Sequence, residues 1–219
     1  MSFLKKIFVA VVVVILAVGA LLFYEFKNIY TPTTGPRISS YAYPAKALLV
    51  IDVQDDYTGV SGRKEPIYKN VDDQIVRINK LIDRASSSGI QVVYIRHLFS
   101  NNIIMRNMIG RTIEGLPGTE LDTRIKVVSA NDFTKKMSDA FSNPKLSEFL
   151  TAHHVNELYL TGLDGVYCVY KTALGGMNRD YHVTVVTDAV MSRKKMEDVL
   201  KLYEENGVAT MTSDMLLVR

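Results

Sequence analysis

The sequence predicts a three-layer α/β/α domain with a mostly parallel, doubly wound sheet, preceded by an N-terminal transmembrane helix. Three observations carry that expectation. Continuous apolar runs such as Ala47–Val53 (ALLVIDV) and Ile90–Ile95 (IQVVYI) recur along the chain; strands without polar alternation are buried on both faces. Segments of helical spacing separate them, which is the pattern of parallel strands joined by crossover helices. Ahead of all this lies one unbroken apolar stretch, Ile7–Tyr24 (IFVAVVVVILAVGALLFY).

That stretch spans about 27 Å as a helix, close to the ~30 Å hydrocarbon core of a bilayer. It has no polar face, so a soluble core helix is a poor description of it. Lys5 and Lys6 precede it, whereas Glu25 and Lys27 behind it cancel. The positive-inside bias therefore predicts a single-pass protein with a cytoplasmic N-terminus and an extracytoplasmic domain, periplasmic or extracellular. A cleaved signal peptide is the rival reading, with Val18-Gly19-Ala20 as the cleavage site. Leu21, Leu22 and Phe23 continue the apolar run past that site, which favours an uncleaved anchor over residues 1–27. Residues 28–45 (NIYTPTTGPRISSYAYPA) are rich in Pro, Gly, Ser and Thr and read as a linker holding the domain, residues 46–219, off the membrane.

Within that domain the elements follow in order. Ala47–Val53 is a buried strand. Val71, Ile75, Ile78 and Ile82 recur at helical spacing, with Asp72 and Asp73 in the first turn and Gly89 past the end. Ile90–Ile95 and Ile125–Val128 (IKVV) read as strands. Pro144 suits the first turn of a helix running to His153. Glu157–Thr161 is a strand followed by a helical stretch from Cys168 to Arg179, and His182–Thr187 is another strand. Ser192 is a candidate cap for a helix over 193–206 that ends at Gly207, and Ala209–Thr212 is a last short strand.

Composition narrows the function. The chain has 219 residues, a formal net charge of +3, 47% hydrophobic and 22% charged residues. This describes a globular domain, and the small charge gives no electrostatic case for a nucleic-acid partner. Cys168 is the single cysteine, which excludes an intramolecular disulfide and a multi-cysteine metal site.

In sheets of this kind ligands bind at the carboxyl ends of the strands, and two candidates lie there. Asp52 is a charge inside the apolar first strand, expensive unless paired or functional. Cys168 opens a helix after the strand ELYLT and the loop GLDGVY. At a helix start the dipole and the free N–H groups stabilise a thiolate, and they can also hold an oxyanion.

Six segments, in order, resemble the isochorismatase-like cysteine hydrolase family: ALLVIDVQDDY (47–57), EGLPGTEL (114–121), FTKKMSDAF (133–141), LTGLDGVYCVYKTA (160–173), VVTDAVMSR (185–193) and VATMTSDMLL (208–217). The resemblance covers about residues 46–217 and implies a Rossmann-like fold and a triad of Asp52, Lys135 and Cys168. Cys168 would attack the substrate acyl carbon to form a thioester, and Asp52 would take and return its proton. Lys135 would lower the thiol pKa. Lys135 lies six residues before Phe141, the family spacing, and its neighbour Lys136 is the alternative. The resemblance further implies a cis Leu163–Asp164 peptide and an oxyanion hole from the N–H groups of Tyr167 and Cys168.

Some features depart from the family. Gly165-Val166 stands where many members carry Thr-Asp or Ser-Asp. The region GVSGRKEPIYKN lacks the His of the nicotinamidase metal motif, so no metal and no other cofactor is expected. The presence of Cys168 favours amide or carbamoyl C–N hydrolysis over vinyl-ether cleavage. Tyr57 and His97 are candidates to line the pocket of a small-molecule substrate. IIMRNMI (103–109) reads as a lid or an oligomer contact, and homo-oligomerisation is left open. An inactive binding module and an oxidant-sensing thiol are the alternatives from other classes.

Overall fold

The computed structural model describes residues 3–218. A single helix, α1 (Phe3–Tyr30), precedes the domain; it is long and apolar enough to cross a membrane, and its apolar window is unburied by the rest of the chain. The domain then runs β1 (Ala45–Ile51), α2 (Asp55–Thr58), α3 (Val71–Ser87), β2 (Gln91–His97), α4 (Ile103–Met108), β3 (Asp132–Lys135), α5 (Pro144–Ala152), β4 (Val155–Leu163), α6 (Cys168–Met177), β5 (His182–Met191), α7 (Met196–Glu205), β6 (Ala209–Met211) and α8 (Ser213–Val218).

The six strands form one sheet in the order β3-β2-β1-β4-β5-β6, and every pairing is parallel. The chain builds outward from β1 in one direction, then crosses back and builds outward in the other. The strand order therefore reverses between β1 and β4, and a crevice opens there at their carboxyl ends.

The continuous apolar strands are explained by the layers. Along β1, Ala47, Leu49 and Ile51 face a core closed by α5, α6 and α7, through Leu146, Leu150, Val169, Ala173, Val199 and Tyr203. Leu48 and Val50 face the opposite core, closed by α3 and α8 through Ile75, Ile78, Ile82 and Leu216. Successive side chains point to opposite faces, so both sets must be apolar, and each fully buried one contributes about 1.5–3 kcal/mol.

Several local expectations differ from the structure. Ile125–Val128 is not a strand. The Asn79 carboxamide takes the N–H of Lys126, and the Tyr94 hydroxyl takes the N–H of Val128, so this backbone is satisfied by side chains. The strand beside β2 is instead Asp132–Lys135, with His97 in register with Lys135. Ser192 does not cap α7, which starts at Met196; its hydroxyl accepts the Lys194 N–H and bonds Asp164. Gly175 and Gly176 lie within α6, where glycine weakens a helix. A Cβ on Gly175 would overlap the Asp139 carboxylate, and one on Gly176 would press on Val183 of β5.

The expected linker is a docked strap. The Ser138 N–H donates to the Ile29 carbonyl (2.8 Å) and the Ile38 N–H to the Arg179 carbonyl (2.9 Å). Between these points the Thr33 N–H and hydroxyl both donate to Asp139 Oδ2, at 2.8 and 2.6 Å. Arg179, itself buried, donates to the carbonyls of Thr33 (3.2 Å), Thr34 (3.0 Å) and Gly175 (2.9 Å). Buried Ile29 and partly buried Ile38 add apolar contact, and these charge-assisted bonds fix the segment between them. Asp139→Ala is expected to destabilise the chain by about 2–4 kcal/mol through lost bonds and orphaned donors, read by denaturant unfolding. It should also expose the Arg37–Ile38 bond to trypsin; an unchanged digestion rate would refute the strap.

Candidate active site

Each side chain at the crevice is placed by the end of a strand. Asp52 follows β1 directly. Its φ of 57° is left-handed, a conformation Asp tolerates better than most residues. This turns the carboxylate away from the alternation of the strand, while the Asp52 N–H still donates to the Ile95 carbonyl (2.8 Å). On β4, Gly162 (φ 109°) lies where any Cβ would overlap the Ile51 carbonyl, so the close approach of β1 and β4 beneath the crevice requires glycine.

Lys135 ends β3 and reaches in with its side chain wholly buried. Its Nζ lies 2.8 Å from Asp52 Oδ2, 3.2 Å from Cys168 Sγ and 3.2 Å from the Met137 carbonyl. Lys136 points outward, is 61% exposed and pairs with Glu114 at 3.0 Å. Cys168 is the first residue of α6. The Leu163–Asp164 peptide before it is cis. Asp164 organises the loop between them: its carboxylate accepts the N–H of Val166 (2.8 Å) and Arg193 (3.1 Å) and the Ser192 hydroxyl (3.2 Å).

Of the two expected oxyanion donors, the Tyr167 N–H is already given to the Asp164 carbonyl at 3.1 Å. The Cys168 N–H, at the first position of α6, has no preceding turn to bond, and Cys168 lines the cavity.

His97, at the end of β2, is more central than its sequence signal indicates. Its Nδ1 is 3.7 Å from Cys168 Sγ and 3.9 Å from Asp52 Oδ2, and its ring stacks on Phe99 at 4.0 Å. The backbone at His97 is braced by buried Gln54, which accepts the His97 N–H (2.7 Å) and donates to the His97 carbonyl (3.2 Å). Among the described residues, Asp52 Oδ1 and His97 Nε2 have no hydrogen-bond partner although both are buried. Orphaned buried polar atoms in a crevice are places for a bound molecule's polar groups.

The crevice encloses a cavity of about 320 Å³ bordered by Asp52, Tyr57, His97, Leu163, Asp164, Tyr167 and Cys168, every candidate except Lys135, which lies beneath. Tyr57 is fixed by a 3.0 Å bond between its hydroxyl and that of Thr112. Sequence reasoning missed Tyr30, Tyr68, Phe99, Arg111, Ser138 and Arg193, which also line it. No periodicity marks these residues; they come from loops and from the end of α1.

Burial pushes the Cys168 thiol up and the Asp52 charge pushes it further, while Lys135 lowers it, as expected, and recovers part of the rise. Burial also raises the Asp52 carboxyl despite Lys135. Burial alone would lower Lys135, but Asp52 and Cys168 outweigh it and hold the ammonium charged. Burial, then Lys135, lowers His97 well below its usual range, so its ring is neutral. The site at rest holds a carboxylate, an ammonium and a protonated thiol.

Asp52, His97 and Cys168 present donor atoms within 4.8 Å of one another. These donors do not fit a divalent cation, because the Lys135 ammonium already supplies the positive charge between Asp52 and the sulfur.

A three-layer domain with a thiol opening a helix beside a buried carboxylate and ammonium defines the cysteine-hydrolase class. The chain belongs to the isochorismatase domain family, which it matches over residues 46–214. It is 25% identical over 176 residues to the uncharacterized isochorismatase family protein YaaI of Bacillus subtilis, covering 79% of this chain and 96% of that one. Among solved structures, N-carbamoylsarcosine amidase from Thermoplasma acidophilum superposes with a TM-score of 0.66 at 25% identity, over 78% of this chain and 97% of the other. The pyrazinamidase of Pyrococcus horikoshii, solved with zinc, gives 0.67 at 23%, over 77% and 99%, a likeness of fold.

Because Cys168 is the only cysteine, its alkylation rate against pH reads the thiol directly. The midpoint is expected above the ordinary ~8.5. Asp52→Asn removes the charge opposing the thiolate and leaves Lys135 facing the sulfur, so the midpoint should fall by about 1–3 units. A midpoint that rises in Asp52→Asn would refute these electrostatics.

Proposed function

We propose that the protein is a membrane-tethered cysteine hydrolase that cleaves an amide or carbamoyl C–N bond through a thioester. The observation that carries this reading is the position of Lys135 Nζ, within 3.2 Å of both Asp52 and Cys168 Sγ at the base of a cavity.

The sulfur attacks the substrate carbonyl carbon while its proton passes to Asp52, whose raised carboxyl is suited to accepting it. Oxyanion charge develops against the Cys168 N–H at the start of α6. The Asp52 carboxyl then returns the proton to the departing nitrogen, and ammonia or an amine leaves. Water adds to the thioester with Asp52 again as base, which releases the acid and restores the thiol. Throughout, Lys135 stays charged and keeps whichever of its two neighbours is anionic compensated. Neutral His97 lines the cavity with Nδ1 on the side of the thiol and the carboxylate. The kinship with an amidase that acts on N-carbamoylsarcosine supports a C–N bond as the target.

Tethering is inferred from α1, whose apolar run is followed without a break by residues docked on the domain. The lysine pair ahead of the run favours placing the domain outside the cytoplasm.

Ammonia release from an amide panel tests the chemistry. Cys168→Ala should lower kcat/KM on a turned-over amide by on the order of 10³-fold or more, while Lys136→Ala should stay within about twofold. Retained turnover in Cys168→Ala would sink the thioester route. The intact mass of the chain from the membrane fraction should include residues 1–20; a product starting at Leu21 would show a signal peptide instead.

A further inference from the structure

Tyr30 is the last residue of α1, and it also lines the cavity that holds Cys168. Its ring packs against that of Tyr167, next to Cys168, with centroids 5.5 Å apart. The connection is rigid, because the helix is unbroken from Phe3 to Tyr30 and the strap bonds at Ile29 and Thr33 follow at once. Helical rise then fixes a height. Tyr30 lies six residues beyond Tyr24, the end of the apolar run, or about 9 Å along the axis. The polar headgroup zone is roughly 5–8 Å deep on each side of the hydrocarbon. The mouth of the cavity is therefore held at the outer edge of that zone.

The rim has the chemistry of such a location. Met108 and Ile109 border the cavity at the end of α4. Along this short helix Ile103 is 76% exposed, Ile104 42% and Met108 58%, and none of its residues is buried. This apolar group is exposed, and its Met108 borders the same cavity as Tyr30 at the end of α1. A second, shallow hollow formed by Phe23, Lys27, Tyr30 and Thr31 shares Tyr30 with the cavity and leads from it down the helix. Exposed Arg193, stacked over Tyr167 at 5.9 Å, and Lys27 add positive charge at this opening, which suits anionic headgroups.

We propose that α4 inserts into the membrane surface and that the cavity takes an amphiphilic amide from the bilayer, one with an acyl or alkyl chain running along the Phe23–Tyr30 hollow and its C–N bond at Cys168. This rests on the tethered-hydrolase reading and narrows its substrate to a lipid-like amide.

The chain contains no tryptophan and one cysteine, so both halves can be read in the full-length protein reconstituted into phosphatidylcholine vesicles with phosphatidylglycerol. Ile104→Trp should be quenched by brominated phosphatidylcholine. Val128→Trp, beside Gln91 and Val92 at the opposite, amino end of the sheet, should not. Cys168 should react about tenfold or more faster with N-dodecylmaleimide than with N-ethylmaleimide in vesicles. The double variant Ile103→Asp/Ile104→Asp should lose that preference while keeping its rate with N-ethylmaleimide. Ile104→Trp that escapes quenching overturns the interface, and quenching with no chain-length preference overturns access from the bilayer. A Cys168 inert to both reagents even at pH above its alkylation midpoint counts against the hydrolase reading; the tryptophan depth then decides the interface.

Discussion

Lys135 is buried without contact to solvent between a carboxylate and a sulfur, and the organisation of the crevice follows from that placement. An ammonium removed from water costs several kcal/mol unless its partners are held in good geometry, and removing one partner costs about 3–5 kcal/mol. Three elements share the task of holding it. β3 delivers Lys135, the left-handed turn at Asp52 swings the carboxylate to 2.8 Å, and the start of α6 brings the sulfur to 3.2 Å. Burial first and the ammonium second keep His97 neutral, and the ammonium accounts for the poor fit of a metal, since a second positive charge at this point would be repelled.

The legible part of this arrangement was the part written as periodicity. Continuous apolar strands announced a sheet covered on both faces, and the alternation of β1 between two cores is the physical content of that signal. Asp52 was visible because a charge interrupts an apolar strand, and Cys168 because it opens a helix after one. Lys135 came only from resemblance. Adjacent lysines are indistinguishable until β3 is known to pair with His97, which turns one inward and its neighbour out to Glu114. The short β3 itself was misplaced to Ile125–Val128. Apolar content is a poor guide where Asn79 and Tyr94 side chains satisfy a backbone that would otherwise need a strand partner. His97 was underweighted for a related reason: nothing local separates a surface histidine from one stacked on Phe99 above a thiol.

The strap shows the limit of composition as a guide. Prolines, threonines, serines and Gly35 over 28–45 read as a linker holding the domain off the membrane. Here a buried carboxylate, Asp139, and a buried guanidinium, Arg179, lie across the end of α6 and offer bonds that only exposed backbone and a threonine hydroxyl can use. A strap of that composition can dock where an apolar one could not. Gly175 is the counterpart within α6, since any side chain there would displace the Asp139 carboxylate. The glycine pair that weakens this helix thereby fixes the segment joining α1 to the cavity.

A protonated resting thiol changes what the site can be used for. A thiolate reacts with electrophiles and oxidants whether or not substrate is present. Here burial and Asp52 oppose the anion more than Lys135 favours it, so the nucleophile forms only as its proton moves to the carboxylate during attack. An oxidant-sensing cysteine needs the reverse arrangement, exposed and already ionised. Among the described residues, buried Asp52 Oδ1 is left without a hydrogen-bond partner, and Asp52 borders the cavity. In the proposed reaction Asp52, the Cys168 N–H and Lys135 are in position before binding, so little reorganisation would remain for the chemical step, and selectivity would fall to the loops and to Tyr30 of α1, which line the cavity.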